Sequence, residues 1–175
     1  MDTDTSTERL ANLLGAAALA IEERVCRAVA DAGVSREEAS VLVTLHGTPG
    51  LTIREVSLIL GMSHPGAVRL ILRLGRRGAV EKRTGRDKRE AHLLLTDAGR
   101  DLVETILRTR EGALVSLVEG IETQNRGPFE SGLEELLRAL VTTDLDTFRI
   151  CRLCDEGACD QERCPVEQCY RGRWP

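Results

Sequence analysis

The chain has 175 residues, of which 42% are hydrophobic and 2% aromatic, and its 24 basic and 28 acidic residues leave a net charge of −4. These values exclude a chain that is too polar to form a core, and the length predicts one domain with a tail. With so few aromatic residues, the core is expected to consist of aliphatic side chains between packed helices. The acidic N-terminus and the lack of a long apolar run predict neither a signal peptide nor a membrane span, so we expect a cytoplasmic protein.

Four helices are expected before residue 78. Apolar residues at three- and four-residue steps predict a long amphipathic helix over 7–31. The next three helices each begin after an N-capping residue, and these caps are Ser35, Thr52 and Ser63. Glu38 and Glu55 complete capping boxes with the first two caps. Glycines then end the helices.

A hairpin and two long helices follow. The predicted elements are strands over Val80–Thr84 and Ala91–Leu95, a helix over 97–122 that Thr96 caps, and a helix over 128–148. The run Asn-Arg-Gly-Pro at 125–128 predicts a turn between the two helices. The fold class is therefore mainly α with a small β-hairpin.

Positive charge is concentrated between residues 69 and 89. Nine basic side chains there stand against two acidic ones, Glu81 and Asp87, so the segment carries +7 in a chain of −4. It lies within 51–99, where two short helices, a turn and a basic hairpin follow the order of a winged helix-turn-helix. Positive charge gathered on such an element in an acidic protein is typical of binding to nucleic acid phosphates.

Two motifs in this region resemble the MarR family of bacterial transcriptional regulators. The recognition-helix motif is matched by Ser63, Arg69, Leu70, Arg73, Leu74, Gly78 and Val80. The wing motif is matched by Asp87, Lys88, Arg89, Leu95, Thr96 and Gly99. The resemblance covers roughly residues 10–148 and implies a winged-helix domain over 1–148, with its DNA-reading part at 51–99.

The resemblance implies specific contacts with duplex DNA. The side chains expected to touch DNA are Ser63, His64, Val68, Arg69 and Arg73 on the recognition helix and Arg86, Lys88 and Arg89 in the wing. Asp87 is expected to orient a nearby arginine of the wing. Gly66 and Val68 stand where the family usually offers hydroxyl groups, which predicts a larger share of recognition through DNA shape.

The helices over 7–31, 97–122 and 128–148 carry more apolar surface than a small winged-helix core can cover. They could pack on each other within one chain. We expect instead that they form the interface of a homodimer, which would present two recognition helices to a pseudo-palindromic site.

The segment 149–175 is a cysteine-rich tail that the usual MarR pattern lacks. Cys151, Cys154, Cys159 and Cys164 have the spacing C-x2-C-x4-C-x4-C, which resembles a zinc knuckle, and Cys169 is a possible extra ligand. Four thiolates on so short a chain favour Zn²⁺, with an iron–sulfur cluster as the alternative. Redox sensing by free thiols stays open.

The sequence thus predicts a DNA-binding transcriptional regulator, expected to be a repressor, whose tail senses metal or redox state. A small-molecule effector is possible. The alternative is a metal- or redox-responsive protein-interaction module with only weak DNA binding. The sequence holds no recognisable catalytic motif, so we do not expect an enzyme.

Overall fold

The structure is a computed structural model that describes residues 3–84, 91–159 and 162–172. The described residues form seven α-helices and one two-stranded antiparallel sheet. In chain order these are α1 (Thr3–Asp31), α2 (Arg36–Gly47), α3 (Ile53–Ile59), α4 (His64–Arg76), β1 (Val80–Thr84), β2 (Ala91–Leu95), α5 (Asp97–Glu119), α6 (Thr123–Leu140) and α7 (Asp144–Cys151). The predicted fold class, mainly helical with a small hairpin, is confirmed.

The helix starts follow from local capping. The side chains of Ser35 and Thr52 accept hydrogen bonds from the N–H groups of Glu38 and Glu55, whose carboxylates accept from the cap backbone in return. These reciprocal bonds satisfy donors that the first turn of a helix otherwise leaves without partners. Thr96 likewise accepts from the N–H of Gly99 at the start of α5.

The hairpin is joined to the loop before α3. Within it, Val80 pairs with Leu95 and Thr84 with Ala91. The free edge of β2 exchanges backbone hydrogen bonds with this loop, since Leu93 N donates to the carbonyl of Leu51 at 2.9 Å. The base of the wing is therefore held against the helix-turn-helix.

The main core lies between α2, α3, α4, the hairpin and the first half of α5. Its fully buried side chains include Leu42, Ile59, Leu70, Leu93 and Ile106. The composition explains this core, because aliphatic side chains supply nearly all of the buried volume.

Gly99 allows α5 to approach the hairpin closely. A Cβ atom at this position would overlap the backbone carbonyl of Ala79. The neighbouring Thr96 hydroxyl donates to the carbonyl of Gly78, so two contacts join the start of α5 to the turn before β1. Glycine is required at residue 99 because the carbonyl of Ala79 belongs to the backbone and cannot rotate away from an added Cβ atom.

Two predictions about the last helices are wrong. Residues 125–128, expected as a turn, lie inside α6, and Pro128 is a helical residue. The break falls earlier, at Gly120–Glu122. There Arg126 donates to the carbonyls of Ile121 and Glu119, which gives acceptors at the end of α5 new partners.

The helix expected over 128–148 is also interrupted. Α break at Val141–Thr143 separates α6 from α7. The carboxylate of Asp146 accepts hydrogen bonds from the backbone N–H and the hydroxyl of both Thr142 and Thr143, so this segment starts a new helix. Cys151 is consequently the last residue of α7.

None of the described helices is long and apolar enough to cross a membrane. The tail beyond α7 contains a short 3₁₀ turn over Glu167–Cys169. Within the tail Val166 is buried, and the ring of Tyr170 meets that of Phe148 edge-on at a centroid distance of 6.0 Å. The tail thus packs back onto α7.

Candidate nucleic-acid interface and cysteine cluster

The outer face of α4 is the candidate DNA-reading surface. Ala67, Leu70, Ile71 and Leu74 point into the core. Ser63, His64 and Arg69 are exposed, and Val68 is half-buried. Pro65 lies in the first turn and Ser63 accepts from the N–H of Gly66 at 3.3 Å, so the start of α4 is locally fixed. Four of the predicted reading residues therefore share the beginning of one helix.

Arg73 has a second task besides any contact with DNA. Its Nε lies 3.3 Å from Oε1 of Glu38, a carboxylate on α2 whose side chain is 9% exposed. Arg77 Nη1 lies 3.7 Å from the other oxygen of Glu38 and 3.0 Å from the carbonyl of Gly33. These contacts fix the end of α4 against α2, and Arg73 remains half-exposed toward the outer face.

Sequence reasoning missed two residues on this face. Leu72 is 46% exposed, although it directly follows the buried Ile71 in the chain. Arg76 is exposed one turn beyond it. Residues 69, 72, 73 and 76 follow the three- and four-residue steps of one helix face. Those steps, counted from Arg69, are the signal that identifies both residues.

The wing is described only at its base. Lys82 and Arg83 on β1 are exposed, and Arg83 Nε pairs with Oε1 of Glu81 at 2.8 Å. The predicted wing contacts Arg86, Lys88 and Arg89 and the predicted orienting residue Asp87 lie outside the described residues. Their roles stay predictions.

The tail places Cys151 beside Cys154, and Cys164 and Cys159 are near enough to act on Cys151 electrostatically. The thiol of Cys151 donates a hydrogen bond to the sulfur of Cys154. This bond and burial raise the pKa of Cys151 above its ordinary value, and the negative charges of Cys154, Cys164 and Cys159 raise it further. The same bond lowers the pKa of Cys154, and the positive charge of Arg110 on α5 adds to that effect.

The ligand set is not closed in the described residues, where no three His, Cys, Asp or Glu side chains form a metal-ligand group. Cys169 stands apart from the other four, because its thiol donates to the carbonyl of Pro165 at 3.3 Å. The metal ligands stay predictions.

The cysteine pair lies beside the candidate reading head, which is the unit formed by α2, α3, α4 and the hairpin of β1 and β2. A cavity of about 30 Å³ is shared by Cys151 and Cys154 with Val43 and Thr44 of α2. Thr44 is 8% exposed, and its hydroxyl has no partner among the described residues. The cysteine pair therefore shares a cavity with α2, and Arg110 of α5 acts on Cys154 electrostatically.

Comparison with known proteins identifies relatives of the reading head. A sequence profile of the MarR family matches residues 32–90. Over 117 residues the chain is 28% identical to the transcriptional repressor MprA of Escherichia coli K12. That match covers 65% of this chain and 66% of MprA, just under two thirds of its length.

Two solved structures share the fold. YusO from Bacillus subtilis is 18% identical with a TM-score of 0.67, and the match covers 79% of this chain and 99% of YusO. A mutant of MepR from S. aureus, bound to an oligodeoxyribonucleotide, is 18% identical with a TM-score of 0.56. That match covers 75% of this chain and 98% of the MepR chain.

Proposed function

Because this chain belongs to the MarR family of transcriptional regulators, we propose that it binds a specific duplex DNA site as a homodimer and represses transcription there. The observation that carries the proposal is the exposed cationic face of α4 beside a basic hairpin. The family consists of regulators, so the expectation that the chain is not an enzyme is confirmed on that ground.

The exposed residues of α4 are proposed to contact different parts of the DNA. The first residues of a recognition helix reach base edges in the major groove. Arg69 makes no ion pair with any described residue, so its guanidinium is available for a guanine edge. Leu72 offers an apolar surface suited to a thymine methyl group. Arg76 offers a positive charge that can bind a phosphate group. The repressor name of MprA supports repression over activation.

The exposed apolar side chains support the homodimer. They lie on three helices and are at least 38% exposed: Leu10, Leu13, Leu14, Leu19 and Ile21 on α1, Val115, Leu117 and Val118 on α5, and Phe129, Leu133 and Leu140 on α6. None of the 18 residues of α6, all of them described, is buried. Monomeric proteins rarely expose so many large apolar side chains on a few helices. A second copy of this chain is the partner proposed to cover it, and light scattering should give twice the chain mass of 19.2 kDa.

DNA binding is tested by selecting sites from random duplexes with the full-length protein and measuring affinity by fluorescence anisotropy. Arg69→Ala should weaken binding and relax base preference. Arg108→Ala is the matched control, because Arg108 is also exposed but lies on α5 outside the reading head. Wild-type affinity in the Arg69 variant would refute the assigned reading face.

The tail is proposed to hold one metal ion per chain through Cys151, Cys154, Cys159 and Cys164. Zn²⁺ suits four thiolates, and the ion itself has no redox chemistry. An iron–sulfur cluster is the alternative. The hydrogen bond between Cys151 and Cys154 supports the proposal, because it places two donors side by side. A small-molecule effector stays a prediction.

Metal binding is tested on protein purified anaerobically under reducing conditions. Metal analysis should give one ion per chain, and the visible absorption spectrum should separate zinc from an iron–sulfur cluster. Cys154→Ser combined with Cys159→Ser should remove the metal. Cys26→Ser is the matched control, since Cys26 lies on α1 outside the tail. Six titratable thiols and no metal in the wild type would refute this part of the proposal.

A further inference from the structure

α7 ties the tail to the first helix of the helix-turn-helix. Arg149 on α7 directs two guanidinium nitrogens at the carbonyl of Leu58, with Nε at 3.3 Å and Nη2 at 3.0 Å. Leu58 lies in the last turn of α3, and its carbonyl also accepts a hydrogen bond from the N–H of Gly61 at 3.2 Å. A cation at that end of a helix also interacts favourably with the helix dipole. The contact joins residues 91 positions apart in the chain.

Apolar packing supports the same attachment. Leu145 and Phe148 on α7 and Leu153 just after it pack against the main core. Phe148 also meets Tyr170 near the end of the described chain. α7 therefore touches the reading head with one set of side chains and the remainder of the tail with another.

The cysteine cluster begins where α7 ends. Cys151 is the last residue of α7, and Cys154 N donates to its carbonyl at 2.7 Å. The cavity that the pair shares with Val43 and Thr44 adjoins α2, and Arg110 acts on it from α5. The cluster thus lies between the reading head and the long helix α5, which belongs to the proposed dimer interface.

We infer that metal bound by the cysteine cluster clamps the reading head to the dimerisation helices, and that Arg149 transmits this effect through Leu58 to α3. This inference rests on the proposed function. A short tail has little core of its own, so metal coordination supplies much of its order. Holding Cys151 against Cys164 fixes the last turn of α7 and, two residues earlier, Arg149.

The clamp acts on DNA binding because α3 packs directly against α4. A head held in one orientation loses less conformational freedom when both recognition helices engage one duplex. Zinc-loaded protein therefore binds DNA more tightly than metal-free protein. By linkage, DNA must raise the affinity for zinc by the same factor.

The test measures the zinc effect on DNA affinity in full-length wild type, Arg149→Ala and Arg27→Ala. Arg27 is the matched control because its ion pair joins it only to Glu23 of its own helix. Each protein is titrated with a duplex selected by the wild type, with zinc or with a chelator, under reducing conditions. Zinc stoichiometry is measured in the same samples, and circular dichroism checks folding.

Zinc should tighten DNA binding by about tenfold in the wild type and in Arg27→Ala, within the range usual for coupled sites. In Arg149→Ala the zinc stoichiometry and the metal-free DNA affinity should stay unchanged, while the zinc effect falls below about threefold. Arg149→Lys keeps the charge but not the paired donors, so its zinc effect should lie between those of the wild type and Arg149→Ala. This variant replaces Arg149→Ala in the test if the alanine variant does not fold.

Hydrogen exchange gives a second readout. Zinc should slow exchange of amides in α3 (Ile53–Ile59) in the wild type and not in Arg149→Ala. A zinc effect of wild-type size in Arg149→Ala, or DNA affinity independent of zinc in a wild type that binds both, would overturn the clamp and leave the proposed function standing. A wild type without metal would overturn the metal proposal and the clamp together.

Discussion

The carboxylate of Glu38 lies 3.3 Å from the guanidinium of Arg73, although the two residues are 35 positions apart. The other oxygen of the same carboxylate accepts the N–H of Ser35 at 2.9 Å. One nearly buried side chain therefore completes the cap of α2 and contacts the recognition helix. This links the start of a scaffold helix to the orientation of the reading face.

Replacing Glu38 should destabilise the fold. Glu38→Ala removes the carboxylate that accepts the backbone N–H of Ser35 and leaves Arg73 without its anion. The free energy of unfolding should therefore fall by about 1–2 kcal/mol, mostly from the lost acceptor of the capping box. Urea unfolding monitored by circular dichroism measures the loss. Glu38→Gln is the control that keeps an acceptor for Ser35, and it should lose less. Equal stability of Glu38→Ala and wild type would contradict the capping role.

Alanine substitutions at Arg69 and Arg73 should have different effects on the stability of the protein, although both should lower its DNA affinity. Arg69→Ala should lower affinity and leave the urea midpoint unchanged, because Arg69 forms no ion pair with a described residue. Arg73→Ala should lower both, since it also removes the contact with Glu38. The account fails here if Arg69→Ala destabilises the protein as much as Arg73→Ala does.

Local signals explain which parts of the fold could be predicted from the sequence. The caps Ser35, Thr52, Ser63 and Thr96 lie where expected, and both strand ranges are confirmed. A cap depends on residues only three positions apart, so the sequence displays it directly. The exposed part of the recognition face, including Arg69, follows from the same helical periodicity.

Distant contacts explain what could not be predicted. The partners of Glu38 and Arg149 lie 35 and 91 residues away, and no periodicity reports such pairs. The turn expected at 125–128 failed because Arg126 satisfies the end of α5 from inside the next helix. The break after Val141 was missed because Asp146 caps α7 from its first turn. The cysteine spacing suggested a cluster, but not its position against α2.

Gly99→Ala should destabilise the junction of α5 with the hairpin. The added methyl group would overlap the carbonyl of Ala79, which belongs to the backbone and cannot turn away. Such overpacking costs about 1–3 kcal/mol. Gly112→Ala in the same helix is the matched control, because nothing lies within 4 Å of the added group and alanine favours helix. Thermal unfolding should rank the Gly99 variant lowest, and a Gly99 variant as stable as the control would contradict the close approach.

Asp146 should make the stability of α7 depend on pH. Hydrogen bonds from Thr142 and Thr143 lower the pKa of Asp146 from 3.8 to about 2 in the folded protein. A lowered folded pKa stabilises the fold above about pH 3.8, and this contribution is lost as the pH falls toward 2.

The free energies of unfolding of wild type and Asp146→Asn should therefore differ above about pH 3.8 and converge as the pH falls toward 2. The measurement uses metal-free, reduced protein, so that loss of bound metal does not contribute. Asp101→Asn, at an exposed position on α5, is the control. A difference between wild type and Asp146→Asn that stays constant from pH 6 to pH 2 would refute the capping of α7 by this carboxylate.

Selection of duplex DNA by the full-length protein, followed by affinity measurements at several salt concentrations, tests the central claim most directly. The account predicts enrichment of a pseudo-palindromic site whose half-sites lie about one helical turn apart. Affinity for that site should fall steeply and linearly on a log–log plot against salt, because several phosphate contacts release counterions. Failure to enrich any site, with weak binding that is the same for every duplex, would contradict a sequence-specific regulator.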